Sequence, residues 1–253
     1  MRDFSNLIIR WTFGETEERS TSLQSFDMLD CSLSFASLIF PNAKMYIVYN
    51  SLKSDLTLNK LRKIALGKAG LIESNTKWEN KKKNSFWKYV PIRIDSSKYE
   101  LILDSDVVLW EVPDIINKWL NSDGVLINTD WNGRNYGSFE KDIPENFTFN
   151  AGILGFPPQY SFVLPDLSLL EEVFLSEQGF VSKEFINSNR EMFVIQKLDV
   201  FQSNSEEFID NKVNDILKKH KGAHFCGCNY CHFSHWDKYY KDDIWKYYFS
   251  LIK

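Results

Sequence analysis

The sequence predicts an α/β protein with helices flanking a parallel sheet, folded as one domain over residues 1–253. Three observations predict it. Residues 6–49 run strand, helix, strand, the unit from which parallel sheets are built. With 43% hydrophobic and 15% aromatic residues among 253, the chain can bury a large core, and α/β chains of this size often form one unit. No repeat, low-complexity tract or Pro-rich linker divides it.

The elements follow in order. Asn6 to Trp11 is a short Leu- and Ile-rich run ahead of the polar stretch Thr12 to Ser22, as in a strand ending in a loop. Leu23 to Phe40 has apolar residues at three- and four-residue spacings and stops at Pro41-Asn42, which predicts a helix. Met45 to Tyr49 is β-branched and aromatic, a second strand. Leu58 to Ala69 reads as a helix ended by Gly70, and Lys77 to Asn84 as an exposed connection. Leu101-Ile102-Leu103 is a compact strand entering Asp104-Ser105-Asp106, after which Val107 to Trp110 is again apolar. Gly124 to Asn128 precedes a Gly- and Asn-rich loop, and Phe147 to Phe156 ends at two prolines. Leu167 to Phe174, Phe193 to Phe201 and the aromatic tail Trp236 to Ile252 read as helices.

A net charge of −4 with no long block of one sign gives no case for nucleic acid as a partner. The N-terminus has too short an apolar stretch for a signal peptide, and no apolar run approaches a membrane span, so a cytoplasmic protein is expected. Four cysteines in a chain of this length do not form a disulfide framework.

Residues two apart in a strand face the same side, so Asp104 and Asp106 can converge where the chain leaves a sheet. Converging carboxylates repel, and a hard cation such as Mg²⁺ or Mn²⁺ relieves that repulsion while phosphates and water complete its shell. Ligands also gather at the carboxyl ends of parallel strands. The alternative is that both aspartates cap a turn; Asp-x-Asp alone is a weak motif, and its place directly after a strand strengthens it.

Leu101-Ile-Leu-Asp-Ser-Asp-Val-Val-Leu109 resembles the strand and DxD element of GT-A glycosyltransferases. Phe149-Asn-Ala-Gly-Ile-Leu-Gly155 resembles the Asn-Ala-Gly segment of the retaining group that includes glycogenin and lipopolysaccharide galactosyltransferases. The resemblance implies a single GT-A, Rossmann-like domain with a mixed, mainly parallel sheet. Residues 1–128 would form the nucleotide-sugar half and 129–253 the acceptor side. It implies transfer from a nucleotide sugar, UDP-linked first, to a glycan, glycolipid or protein acceptor, with Mn²⁺ or Mg²⁺ as cofactor. Asp104, Ser105 and Asp106 would contact metal and donor; Asn150, Ala151 and Gly152 would contact the donor sugar or acceptor. Trp11, Thr12 and Gly14 fall where the nucleoside would sit, with Trp11 either stacked on the base or part of the core. Lys88 falls near an Arg of the family. Gln196, with Glu191, falls near the acidic-or-Gln position beside the anomeric carbon; a surface helix is the other reading.

His224 and Gly227 match the family's closing His-x-x-Gly, which makes His224 the third metal ligand and Gly227 a donor contact. The Lys-Pro-Trp that follows in the family is absent, and Lys238 is a loose substitute. Cys226, Cys228 and Cys231 with a histidine could instead hold structural zinc, or form an inert reduced cluster. The tail mixes Trp236, Tyr239, Tyr240, Trp245, Tyr247, Tyr248 and Phe249 with lysines. It either meets a membrane surface peripherally or docks on the core with its lysines outward. Two rivals to the transferase stay open: a haloacid-dehalogenase-like phosphatase using the two aspartates, and a GT-A fold that binds sugar nucleotide without catalysis.

Overall fold

The computed structural model describes residues 3–14, 22–50, 54–74, 84–130, 133–166, 175–203, 213–226 and 235–253. Its strands are β1 (Leu7–Phe13), β2 (Lys44–Tyr49), β3 (Gly70–Glu73), β4 (Tyr99–Asp104), β5 (Val107–Leu109), β6 (Val125–Thr129), β7 (Phe149–Phe156), β8 (Met192–Ile195), β9 (Val200–Gln202) and β10 (Gly222–His224). Its helices are α1 (Leu23–Ile39), α2 (Asp55–Ala65), α3 (Asp114–Trp119), α4 (Ser176–Asn187), α5 (Val213–Lys219) and α6 (Lys241–Leu251).

A seven-stranded sheet runs β3-β2-β1-β4-β7-β6-β8, and β5-β10-β9 form a smaller one. Every pairing in the large sheet is parallel except those of β7 with β4 and β6, so the mixed, mainly parallel expectation is met. On β1, Leu7, Ile9, Trp11 and Phe13 enter one core with α1, α2 and α3. Ile102, Val125, Ile127, Leu154 and Phe156 enter another core with α4.

Helix α1 is capped by Ser22, whose Oγ accepts from Ser25 N at 3.1 Å. It has two apolar stripes. Phe26, Leu29 and Leu33 pack on the large sheet, while Met28, Cys31 and Phe35 pack with β5, β10 and α6. A helix gripped from two sides is apolar around most of its circumference, which explains the mixed spacing in the sequence. The tail is helical as expected, one π turn (Trp236–Tyr240) leading into α6, and it docks on α1: Trp236 Nε1 donates to Asp27 Oδ2 at 2.6 Å. Among the described residues no helix is long and apolar enough to cross a membrane.

Two element expectations are corrected. Phe193 to Phe201 is not a helix but β8 and β9, in different sheets. Phe193 and Ile195 face one core while Met192 and Val194 pack against the other. A strand covered on both faces has no polar alternation to betray it. The second helix starts earlier, at Asp55 behind its cap Ser54, and ends at Ala65. Gly67, at φ +72°, makes the turn, and Gly70 opens β3, where a Cβ would lie 2.9 Å from the Tyr46 ring. The expected helix over 167–174 and most of the connection over 77–84 lie outside the described residues, as do Gly227, Cys228 and Cys231.

Candidate functional site

Strand β4 ends at Asp104, paired with Thr12 of β1. Through Ser105 and Asp106 the chain turns out of the large sheet and enters the small one at Val107. There β10 lies antiparallel to β5 with His224 opposite Val107, and Phe225 N donates to Asp106 O at 2.8 Å. This pairing delivers His224 Nε2 to within 3.3 Å of Asp106 Oδ1. The ligand atoms of Asp104, Asp106 and His224 all lie within 4.8 Å of one another, with Asp106 and His224 buried and Asp104 half-buried.

Lys88 Nζ stands 3.2 Å from Asp104 Oδ1. Burial opposes its charge, but Asp104, Tyr89 and Glu177 outweigh burial and raise its pKa, so the lysine is a fixed cation. Burial likewise opposes a charged His224; Cys226 and Asp106 outweigh it and raise the ring above the usual histidine value. Cys226 Sγ is 3.2 Å from Nδ1 and 3.1 Å from Nε2. A sulfur equidistant from both ring nitrogens lies over the ring face, because their lone pairs diverge in the ring plane. That leaves the in-plane lone pair of Nε2 directed elsewhere. Burial raises the Cys226 thiol's own pKa, which His224 only partly offsets. Two carboxylates and one imidazole form an oxygen-rich, electron-donating set that fits Mn²⁺ or Mg²⁺, with the Lys88 ammonium beside it as a separate positive charge.

Beside this cluster the sheet breaks. Ile127 pairs with Leu154 but the next residue, Asn128, pairs with Asn150, so Ala151 to Ile153 have no partners in β6. Side chains take up the freed backbone groups. Ala151 N donates to Gln178 Oε1 at 3.0 Å, and Gly152 N to Asn150 Oδ1 at 2.8 Å. Asn150 Nδ2 in turn donates to Asp130 Oδ2 at 3.3 Å, and Gln178 Nε2 to Asn135 O at 2.9 Å. Position 152 must be glycine, since a Cβ would lie 2.3 Å from His224 Cε1. The break and the candidate metal-ligand cluster therefore touch.

At the far end, Gly14 follows β1 so closely against Asn50 that a Cβ would stand 1.9 Å from Asn50 Oδ1 and 2.7 Å from Trp87 Cζ2. Thr12, Gly14, Asn50 and Lys88 thus share the carboxyl ends of β1, β2 and β4. Trp11 does not belong there. It is fully buried, its indole N–H donates to Ser32 Oγ at 2.8 Å, and Ser32 donates to Val107 O at 2.5 Å. Base stacking by Trp11 is excluded by that burial, and the core alternative holds.

Glu191 and Gln196 are not on a helix. They flank β8, whose span separates them by about 13 Å or more at roughly 3.3 Å per residue. Glu191 lies at the amino end of the strand, away from the site, with its carbonyl accepting from Val125 N at 2.9 Å. Gln196 lies at the carboxyl end but is exposed. The side chain beside the Asn150 segment is instead Gln178, buried with Glu177 at the start of α4. Asp130 was missed as well, although it comes directly after the apolar strand β6 much as Asp104 closes β4, and that repeated pattern is visible in the sequence. Gln178 shows no such signal; its role depends on the break in β7.

No protein-family model and no curated protein matches the sequence. Among solved structures, the chain is similar to the galactosyltransferase LgtC in complex with donor and acceptor sugar analogs, with TM-score 0.54 and 12% identity over 96% of this chain and 95% of that one. It is similar to mouse xyloside xylosyltransferase 1, with TM-score 0.51 and 12% identity over 88% and 98%. The bifunctional glycosyltransferase WbbM gives TM-score 0.55 and 12% identity over 95% of this chain and 51% of its own length. At such identities the likeness is one of fold, and the chain has the GT-A glycosyltransferase fold.

Proposed function

We propose that this chain is a metal-dependent glycosyltransferase that moves a sugar from a nucleotide-sugar donor, a UDP-sugar first, to a glycan, glycolipid or protein acceptor. The observation that carries the reading is the convergence of Asp104, Asp106 and His224 at the switch between two sheets of a GT-A fold. These three residues would hold Mn²⁺ or Mg²⁺, which when bound neutralises charge on the leaving diphosphate. Lys88, fixed by Asp104, adds a second positive charge at the same place. Thr12 and Gly14 line the nucleoside end, and Ser105 sits at the turn beside the phosphates.

On the sugar side, Asp130 and Asn150 supply hydrogen-bonding groups, and Gln178 fixes the backbone of Ala151. The positive charge that develops at the anomeric carbon would be met by the carboxylate of Asp130 beside Asn150. The whole chain acts as one unit, with the donor half in 1–128 and the acceptor half in 129–253. Phe249, Leu251 and Ile252 at the exposed end of α6 are where a peripheral membrane contact would form. The phosphatase alternative lacks support from the fold.

Calorimetric titration of UDP-glucose, UDP-galactose, UDP-N-acetylglucosamine and GDP-mannose, with and without Mn²⁺, tests the reading. Metal-dependent binding of one donor is expected. Failure of all four to bind, or binding indifferent to Mn²⁺, would overturn it.

A further inference from the structure

Asn128 is 1% exposed, and among the described residues neither its amide nitrogen nor its amide oxygen has a hydrogen-bond partner. Folded chains give buried polar atoms partners almost without exception, so two idle atoms on one side chain need a reason. An apolar residue of the same shape would fill the position without leaving polar atoms unpaired.

The position supplies the reason. Asn128 stands directly opposite Asn150 where the β6–β7 register breaks, and opposed residues of an antiparallel pair present their side chains to the same face, with Cβ atoms about 4.5–5.5 Å apart. Asn150 is half-exposed and linked to Asp130 and to the backbone of Gly152. Asn128 is thus the floor beneath a polar rim. Gly152, next along, lies against His224 and hence against the cation cluster. A diphosphate held at that cluster would place its attached sugar over this floor.

We propose that Asn128 reads a pair of neighbouring hydroxyls on the donor's sugar, its NH₂ donating to one and its C=O accepting from the other. A carboxamide offers one donating and one accepting edge, and each sugar hydroxyl can do either, so the match to a vicinal diol is complete. The ligand class is a pyranose with adjacent free hydroxyls, carried on a nucleoside diphosphate. The inference rests on the glycosyltransferase reading above.

Asn128→Leu separates the outcomes. The sugar-free variant is expected to melt at or above the wild-type temperature, because nothing is lost from its hydrogen bonding. Its affinity for UDP with Mn²⁺ should be unchanged, while the preference for the UDP-sugar over UDP falls about tenfold. A donor lacking one of the two hydroxyls should bind the wild type about tenfold more weakly, and the variant no more weakly than the full sugar. Unchanged sugar preference in Asn128→Leu would overturn the proposal. So would a lower melting temperature with preference intact, since the amide would then serve the fold through a buried water. Should Asn128→Leu fail to fold, Asn128→Ser carries the same sugar comparison. If the wild type binds neither UDP nor any UDP-sugar, the donor reading itself falls and this inference with it; if UDP binds with Mn²⁺ and no sugar adds affinity, only this inference falls.

Discussion

His224 reaches Asp106 through the pairing of β10 with β5, whereas Asn150 reaches Gly152 because the pairing of β6 with β7 fails. On the metal side, backbone ladders place the side chains. On the side of the sheet break, proposed to face the sugar, side chains hold the backbone: Gln178 and Asn150 stand in for missing strand partners. A ladder holds the backbone independently of the side chains it presents, so a candidate metal ligand can be truncated without moving its neighbours. A scaffold of single side chains has no such reserve, and losing one should shift both geometry and function.

Asp106→Ala takes a ligand from the ladder-built side. Transfer should fall by roughly 10³-fold, with circular dichroism and melting temperature near wild type, as a rate assay paired with thermal melting will show. Gln178→Ala takes a strut from the other side. It should lower transfer about 10²-fold and also weaken the fold by about 1–3 kcal/mol, because Ala151 N is left buried without its acceptor. A denaturant midpoint equal to wild type would break the contrast. Where the two sides touch, Gly152→Ala pushes on His224, and Mn²⁺ affinity should drop about 10–100-fold.

The pH dependence sharpens the comparison on the metal side. His224 has a raised pKa, and proton and cation compete for the same imidazole nitrogen. Mn²⁺ affinity should therefore weaken by about tenfold for each pH unit below that pKa and level off above it. Affinity that stays constant down through the acidic range would remove His224 from the ligand set. The smallest functional effect is expected at Trp11→Phe. It should lose about 1–3 kcal/mol of stability through the lost indole contact with Ser32 yet leave UDP affinity unchanged.

The same contrast decides what could be read from the sequence. Asp104 and Asp106 were legible because an apolar strand runs directly into them, and the resemblance supplied His224. The Leu- and Ile-rich run of β1 and the three- and four-residue apolar spacings of α1 also left clear marks. Strand β8 did not, since both of its faces are covered and its four residues fit a helix spacing as well as a strand. That misreading carried Glu191 and Gln196 into the site. Gln178 was hidden for a different reason: it satisfies a backbone group freed by a register break, which only long-range pairing creates. Trp11 stayed open between base stacking and the core because nothing local shows that Ser32 holds its N–H.

The central claim is that Asp104, Asp106 and His224 bind a cation jointly with the donor's diphosphate. Electron paramagnetic resonance of free Mn²⁺ measures it directly, titrating the protein into Mn²⁺ with and without UDP. The account predicts that UDP tightens Mn²⁺ binding by the same factor by which Mn²⁺ tightens UDP, because linkage is reciprocal. Mn²⁺ that binds equally with and without UDP, or does not bind, would contradict it.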